Sequence, residues 1–179
     1  CDGYQAAVTA INHLIQLGHR KIAYIGETER ENRYRGYLDA LSAENITVYK
    51  GYVSNVTLSS EGGYLGAKKL LEQNCDATAY FCPNDMTAIG AMRAIQEAGY
   101  SIPGDISIIS IDDIETAQYL NPMLTTVHIP IEEMGQMAAK TLIDRIEGGH
   151  SLPMKINLPF YIANRESCGP AHPLRQREE

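Results

Sequence analysis

Three short stretches of the chain carry side chains suited to recognising a small polar molecule. The first is Arg33-Tyr34-Arg35-Gly36-Tyr37. The planar guanidinium of Arg33 presents a fork of N–H donors that fits hydroxyls or a carboxylate, whereas Arg35 reads as a solvated helix-face arginine. The second is Asn84-Asp85, directly after Phe81-Cys82-Pro83. A carboxamide both donates and accepts hydrogen bonds, and the same pair also makes a helix N-cap followed by an acidic first turn. The two uses are compatible, because a cap at the carboxyl end of a strand already faces the crevice beyond that strand. The third is Asp112-Asp113. Adjacent carboxylates can hold a divalent cation, move protons or accept from sugar hydroxyls, and they also form turns. A metal site would need more acidic residues converging there, and only Glu115 is close in sequence.

Other catalytic patterns are missing. The sequence has no phosphate-binding loop of the Walker type, no H-E-x-x-H and no G-x-S-x-G. Gly62-Gly63-Tyr64-Leu65-Gly66 lacks dinucleotide-binding spacing and reads as close helix packing. His13 and His19 read as structural or solvated, and His128 falls in a strand. No catalytic residue, metal or cofactor is therefore expected, and the chemistry is that of binding.

Alternating strands and helices must position these groups. Apolar residues at helical spacing run from Ala6 to Leu17, and Gly18 stops that helix. Ile22-Ala23-Tyr24-Ile25 is a short strand, and a helix over about 31–44 follows. A strand is predicted around Tyr49–Val53, then a helix capped by Ser59 or Ser60. Thr78–Cys82 is a strand, and Asn84 caps the next helix, which Gly99 ends. Ile106–Ile111 and Thr125–Ile129 are further strands. A helix from Glu132 to about Glu147 carries an apolar stripe of Met134, Ala138, Leu142 and Ile146, and Met154–Ile162 reads as one or two strands. The clearest strands are apolar on both faces, the mark of a parallel sheet flanked by helices in an α/β fold. The helix near 132–147 follows a sheet that is already complete, so its stripe needs a partner, inferred to be a second lobe. From Gly169 the chain has little to bury, and the tail is expected to be disordered.

With 179 residues the chain fits one domain, or one lobe plus a piece of another. Its net charge of −7 disfavours contact with phosphate backbones, so the chain itself is expected to bind nucleic acid poorly. Cys1, Cys75, Cys82 and Cys168 form no metal-ligand spacing and read as reduced thiols. The opening residues show no secretion leader and no apolar run of membrane length, so no membrane partner and a cytoplasmic protein are expected.

Several segments together resemble the LacI/GalR family of bacterial transcriptional regulators. They are Leu17-Gly18-His19-Arg20-Lys21-Ile22 through Gly26, Arg33 through Leu41, Thr78-Ala79 through Ala91, Ile102-Pro103-Gly104-Asp105-Ile106-Ser107 through Asp113, Leu124-Thr125-Thr126-Val127, and Arg165-Glu166-Ser167. The resemblance implies a periplasmic-binding-protein-like core, with residues 1–130 as its C-terminal lobe. Residues 131–157 would belong to the N-terminal lobe, 158–168 would be a return strand, and 169–179 the tail. By position Arg33, Asn84 and Asp112 match effector-contacting residues of the family. Leu58 stands near a place where many members carry an aromatic ring, and Ile129 and Ile131 would also face the crevice. The implied function is effector sensing, with a sugar as ligand, in a homodimeric repressor of carbohydrate genes. Operator DNA would be met only through an N-terminal headpiece outside this chain. The rival readings are a periplasmic-type sugar-binding protein of a transport system and, further off, a metal-dependent hydrolase using Asp112 and Asp113.

Overall fold

The first four helices begin where a side chain satisfies one of their free N–H groups. The computed structural model describes residues 2–172. Asp2 caps α1 (Gly3–Gln16), Glu31 caps α2 (Asn32–Ala43), Ser59 caps α3 (Ser60–Glu72) and Asn84 caps α4 (Asp85–Glu97). The strands between them are β1 (Ile22–Gly26), β2 (Val53–Asn55), β3 (Ala79–Phe81), β4 (Ser107–Asp112), β5 (Thr125–His128) and β6 (Tyr161–Ala163). They form one sheet in the order β2-β1-β3-β4-β5-β6. All pairings are parallel except the last, in which β6 runs antiparallel along β5.

The sheet is buried on both faces, which is why β1 and β3 consist entirely of buried residues. One face packs Ile11 and Leu14 of α1 and Tyr37 and Leu41 of α2 against Tyr24, Phe81 and Ile111. The other packs Leu70 of α3 and Ala91 and Ile95 of α4 against Ile25, Tyr80 and Ile108. α3 and α4 approach so closely that glycine is required. A Cβ on Gly90 would lie 1.8 Å from the Ser60 carbonyl oxygen, and one on Gly63 would lie 1.9 Å from that of Thr87. The glycine-rich segment is thus a packing device.

The structure departs from the sequence-based expectations in three places. Lys50–Tyr52 is a 3₁₀ turn and the strand begins at Val53, where the register against Tyr24 sets in. Of the stretch Met154–Ile162 only the end is a strand, because β5 offers a hydrogen-bonding edge to 161–163 and no strand lies beside 154–160 among the described residues. The tail expected to be disordered from Gly169 is fastened at its start. Gly169 N–H donates to Ser107 Oγ at 3.0 Å, and Ala171 N–H donates to the Leu17 carbonyl at 2.9 Å. Residues 173–179 lie outside the described residues. His19 is buried beneath this segment and bonds Thr78 and Ser107, a structural role.

α5 (Ile131–Ile146) buries none of its residues. Met134, Leu142 and Ile146 of its apolar stripe are 36%, 59% and 76% exposed. Met134 and Leu142, with Met154, Ile156 and Leu158, line an open groove of about 500 Å³.

Replacing Gly90 with alanine tests the α3–α4 contact. Helix propensity alone favours alanine by about 1 kcal/mol, so any net loss isolates the clash. Gly90→Ala is expected to lower stability by about 2 kcal/mol or more in urea unfolding. Gly51→Ala, whose Cβ meets nothing within 4 Å, should be close to neutral. A neutral Gly90→Ala would disprove the packing.

Candidate functional site

In this sheet order the chain leaves β1 towards β2 on one side, whereas β3, β4 and β5 extend on the other. The carboxyl ends of β1 and β3 therefore flank a topological switch point, where open α/β sheets bind ligands. Arg33 occupies that point. It lies in the first turn of α2, after β1, and its NH1 donates to the carbonyl of Pro83, after β3, at 2.7 Å. Its stem packs on Gly3, where a Cβ would come within 3.3 Å of Arg33 Cγ. Glu31 fixes the rest of the guanidinium. Glu31 Oε1 accepts from Arg33 Nε at 2.9 Å and from the Arg33 backbone N–H at 2.9 Å, and Oε2 accepts from NH2 at 2.8 Å. Three of the five guanidinium N–H groups are thus committed among the described residues, which leaves two for a ligand.

Asn84 adjoins Pro83 and is half-buried. Its Oδ1 accepts from Thr87 N–H at 2.9 Å, so the capping role is real. What remains for a ligand is its Nδ2 donors. Asp112 ends β4 within electrostatic reach of Arg33. Burial pushes its carboxyl up to about 6, the nearby charge of Asp85 adds to the rise, and Arg33 opposes it.

Asp112 and Asp113 have φ of +125° and +58°, a conformation costing about 1–3 kcal/mol per residue. Asp85 holds this turn. It is fully buried, and its carboxylate accepts from Ser110 Oγ, from Thr126 Oγ1 at 2.7 Å and from Ile114 N–H at 2.8 Å. Burial raises its pKa, and these three donors oppose the rise. Asp113 separates from its neighbour. One of its oxygens meets Arg165 NH2 at 2.6 Å and the other meets His128 Nδ1 at 2.8 Å, while His128 stacks on Tyr161. The two adjacent carboxylates therefore serve different ends, and Asp113 is a structural tie between the turn and the last two strands.

Among the remaining candidates, Leu58 is half-buried just before the α3 cap. Ile129 is half-buried against the core on the α1–α2 face, and Ile131 is 58% exposed at the start of α5. Arg35 is exposed, as its helix-face reading required. Sequence reasoning passed over Glu31, Asp85 as a buried anchor, and Arg165. Only Glu31 left a local sign, two residues ahead of Arg33 at the helix cap.

Residues 11–168 match the model of the periplasmic binding protein-like domain family. The ribose operon repressor of Haemophilus influenzae is 43% identical over 142 residues, which cover 77% of this chain and 43% of that protein. The transcriptional repressor PurR of Yersinia enterocolitica is 35% identical over 181 residues, covering 98% and 53%. The chain thus spans about half the length of the curated relatives it matches. A LacI-family regulator from Enterococcus faecium with bound ribose superposes with a TM-score of 0.88 at 35% identity, covering 96% of this chain and 65% of that one. A sugar-binding LacI-family regulator from Escherichia coli, complexed with phosphate, gives 0.86 at 33% identity, covering 95% and 62%.

If Asp85 anchors the site, its removal strands three donors in the core. Asp85→Ala is expected to cost about 3 kcal/mol or more in chemical unfolding, and Ser110→Ala about 1 kcal/mol. A loss below about 1 kcal/mol for Asp85→Ala would refute the anchoring role.

Proposed function

Because the chain belongs to the periplasmic binding protein-like domain family, in the form carried by LacI-type regulators, we propose that it is the effector-sensing part of a transcriptional repressor whose effector is a sugar. The observation that carries this reading is the pairing at the switch point. Arg33, with two N–H groups uncommitted, lies within electrostatic reach of the Asp112 carboxylate, and Asn84 adjoins Pro83, on which Arg33 rests. Donors and an acceptor in one neighbourhood suit adjacent hydroxyls, each of which donates and accepts. A hydrogen bond to a charged group contributes about 1.5–3 kcal/mol. Leu58, Ile129 and Ile131 are assigned as an aliphatic flank of the same cleft. The names of the relatives point to regulation rather than catalysis, and the ribose in the Enterococcus faecium regulator supports a sugar.

In this reading residues 1–130 form one lobe, 131–157 contribute to a second, and 158–168 return. The exposed stripe of α5 supports the division, since an amphipathic helix requires an apolar partner. The effector binds between lobes and changes their angle. In a cytoplasmic homodimer that change alters operator affinity through a DNA-binding headpiece outside this chain.

Calorimetry of the two-lobed protein against a sugar panel tests the assignment. Arg33→Ala and Asp112→Ala should each weaken binding by about tenfold or more. Unchanged affinity in both would overturn it. The pH dependence follows from Asp112. Hydroxyls donate to the ionised carboxylate, and its pKa is raised to about 6. Affinity should therefore be level above pH 7 and fall about tenfold by pH 5, where most Asp112 is protonated. Asp112→Asn should abolish that slope.

A further inference from the structure

We infer that Glu31 is the charge filter of the cleft, so that the site takes an uncharged polyol and turns away phosphorylated or carboxylated versions of it. The inference rests on the cleft assignment above and narrows the class of its ligand.

An arginine facing a cleft ordinarily invites an anion, because the Nε–NH2 edge matches two oxygens of a phosphate or carboxylate. Here that edge is taken. Glu31 occupies both donors at 2.9 and 2.8 Å, and its hold on the Arg33 backbone N–H prevents it from swinging away. Both side chains are largely buried, 14% exposed for Glu31 and 22% for Arg33, so water screens the pair weakly. Hydrogen bonds from Arg33 keep the Glu31 carboxyl below its usual range, which leaves it ionised. The two free N–H groups sit one on each terminal nitrogen.

The charge balance points the same way. Glu31 cancels Arg33, and Asp112 and the buried Asp85 remain on the negative side. The exposed loop before Glu31 adds Glu27 and Glu29 against Arg30 alone. An incoming phosphate would meet net negative charge in a partly dry site, with the Nε–NH2 edge already filled by Glu31. A hydroxyl loses nothing by the same arrangement, since two single donors and one carboxylate acceptor are what it uses. Glu31 is thus a specificity-determining residue that acts through Arg33.

The test compares the unaltered chain with Glu31→Gln, which removes the charge, and Glu31→Asp, which keeps it. Unfolding curves verify that each variant folds. Inorganic phosphate is titrated into the chain while the backbone amide signals of Arg33 and Asn84 are followed by NMR. Glu31→Gln is expected to bind phosphate at these residues at least about tenfold more tightly than the unaltered chain, and Glu31→Asp is expected to stay like the latter. In the two-lobed protein, ribose is compared with ribose 5-phosphate and glucose with glucose 6-phosphate. The preference for the neutral sugar should fall about tenfold or more in Glu31→Gln alone. Equal phosphate binding by the unaltered chain and Glu31→Gln would overturn the inference, as would tighter binding of the esters by the unaltered protein. Failure of Arg33→Ala to weaken sugar binding would instead remove the sugar-site reading, while the phosphate titration would still report on Glu31.

Discussion

The buried carboxylate of Asp85 is the constraint on which the cleft depends. It stands at the start of α4, where the helix dipole favours negative charge, and it ties three separate parts of the chain together. Ser110 belongs to β4, Thr126 to β5, and Ile114 to the turn that follows Asp112. A fully buried charge is tolerable only when every oxygen is occupied, and here three donors occupy the two oxygens. In return it secures two successive residues of positive φ, the conformation that ends β4 at the cleft. Without this anchor Asp112 would relax to an ordinary backbone, and the acceptor opposite Arg33 would be lost.

On the other side of the switch point the arrangement follows the same principle by different means. Arg33 is long and flexible, and ordering such a side chain costs about 1.5–2 kcal/mol in rotamer freedom. The structure meets that cost in advance. Glu31 grips one edge of the guanidinium, the Pro83 carbonyl takes a third donor, and Gly3 makes room for the stem. Under the proposed reading a ligand meets fixed donors at Arg33 and an acceptor at Asp112, the condition under which few hydrogen bonds give useful selectivity.

Much of this was legible in the sequence because its signals are local. Apolar runs gave the buried strands, and Ser59 and Asn84 announced their helices by position. The glycines at 62, 63 and 66 declared a close approach. Arg33, Asn84 and Asp112 were legible as polar groups at strand ends. The roles that escaped depend on distant partners. Asp113 looked like a twin of Asp112, yet its partners are 52 residues away at Arg165 and 15 away at His128. Asp85 looked like a first-turn acid, yet its deciding contact is with Thr126, 41 residues on. The antiparallel direction of β6 has the same origin. β6 pairs antiparallel with β5, a partner far earlier in the chain that no local signal in 154–162 names.

The two carboxylates at 112 and 113 also link the cleft to the end of the sheet. Asp112 lies within electrostatic reach of Arg33, while one peptide further on Asp113 holds Arg165 and His128. His128 closes β5, from which the chain passes through Pro130 into α5, and Arg165 follows β6, by which it returns. Stacking of His128 on Tyr161, with centroids 4.7 Å apart, joins the departing strand to the returning one. The turn that carries Asp112 is therefore also the clamp on both segments that lead to and from α5. Under the proposed reading those segments are the connections between lobes. A hydroxyl that draws on Asp112 pulls on a turn already fastened at Asp85 and Asp113, so its effect cannot dissipate in a flexible loop. In that reading it is passed instead to the base of the strands that connect the lobes.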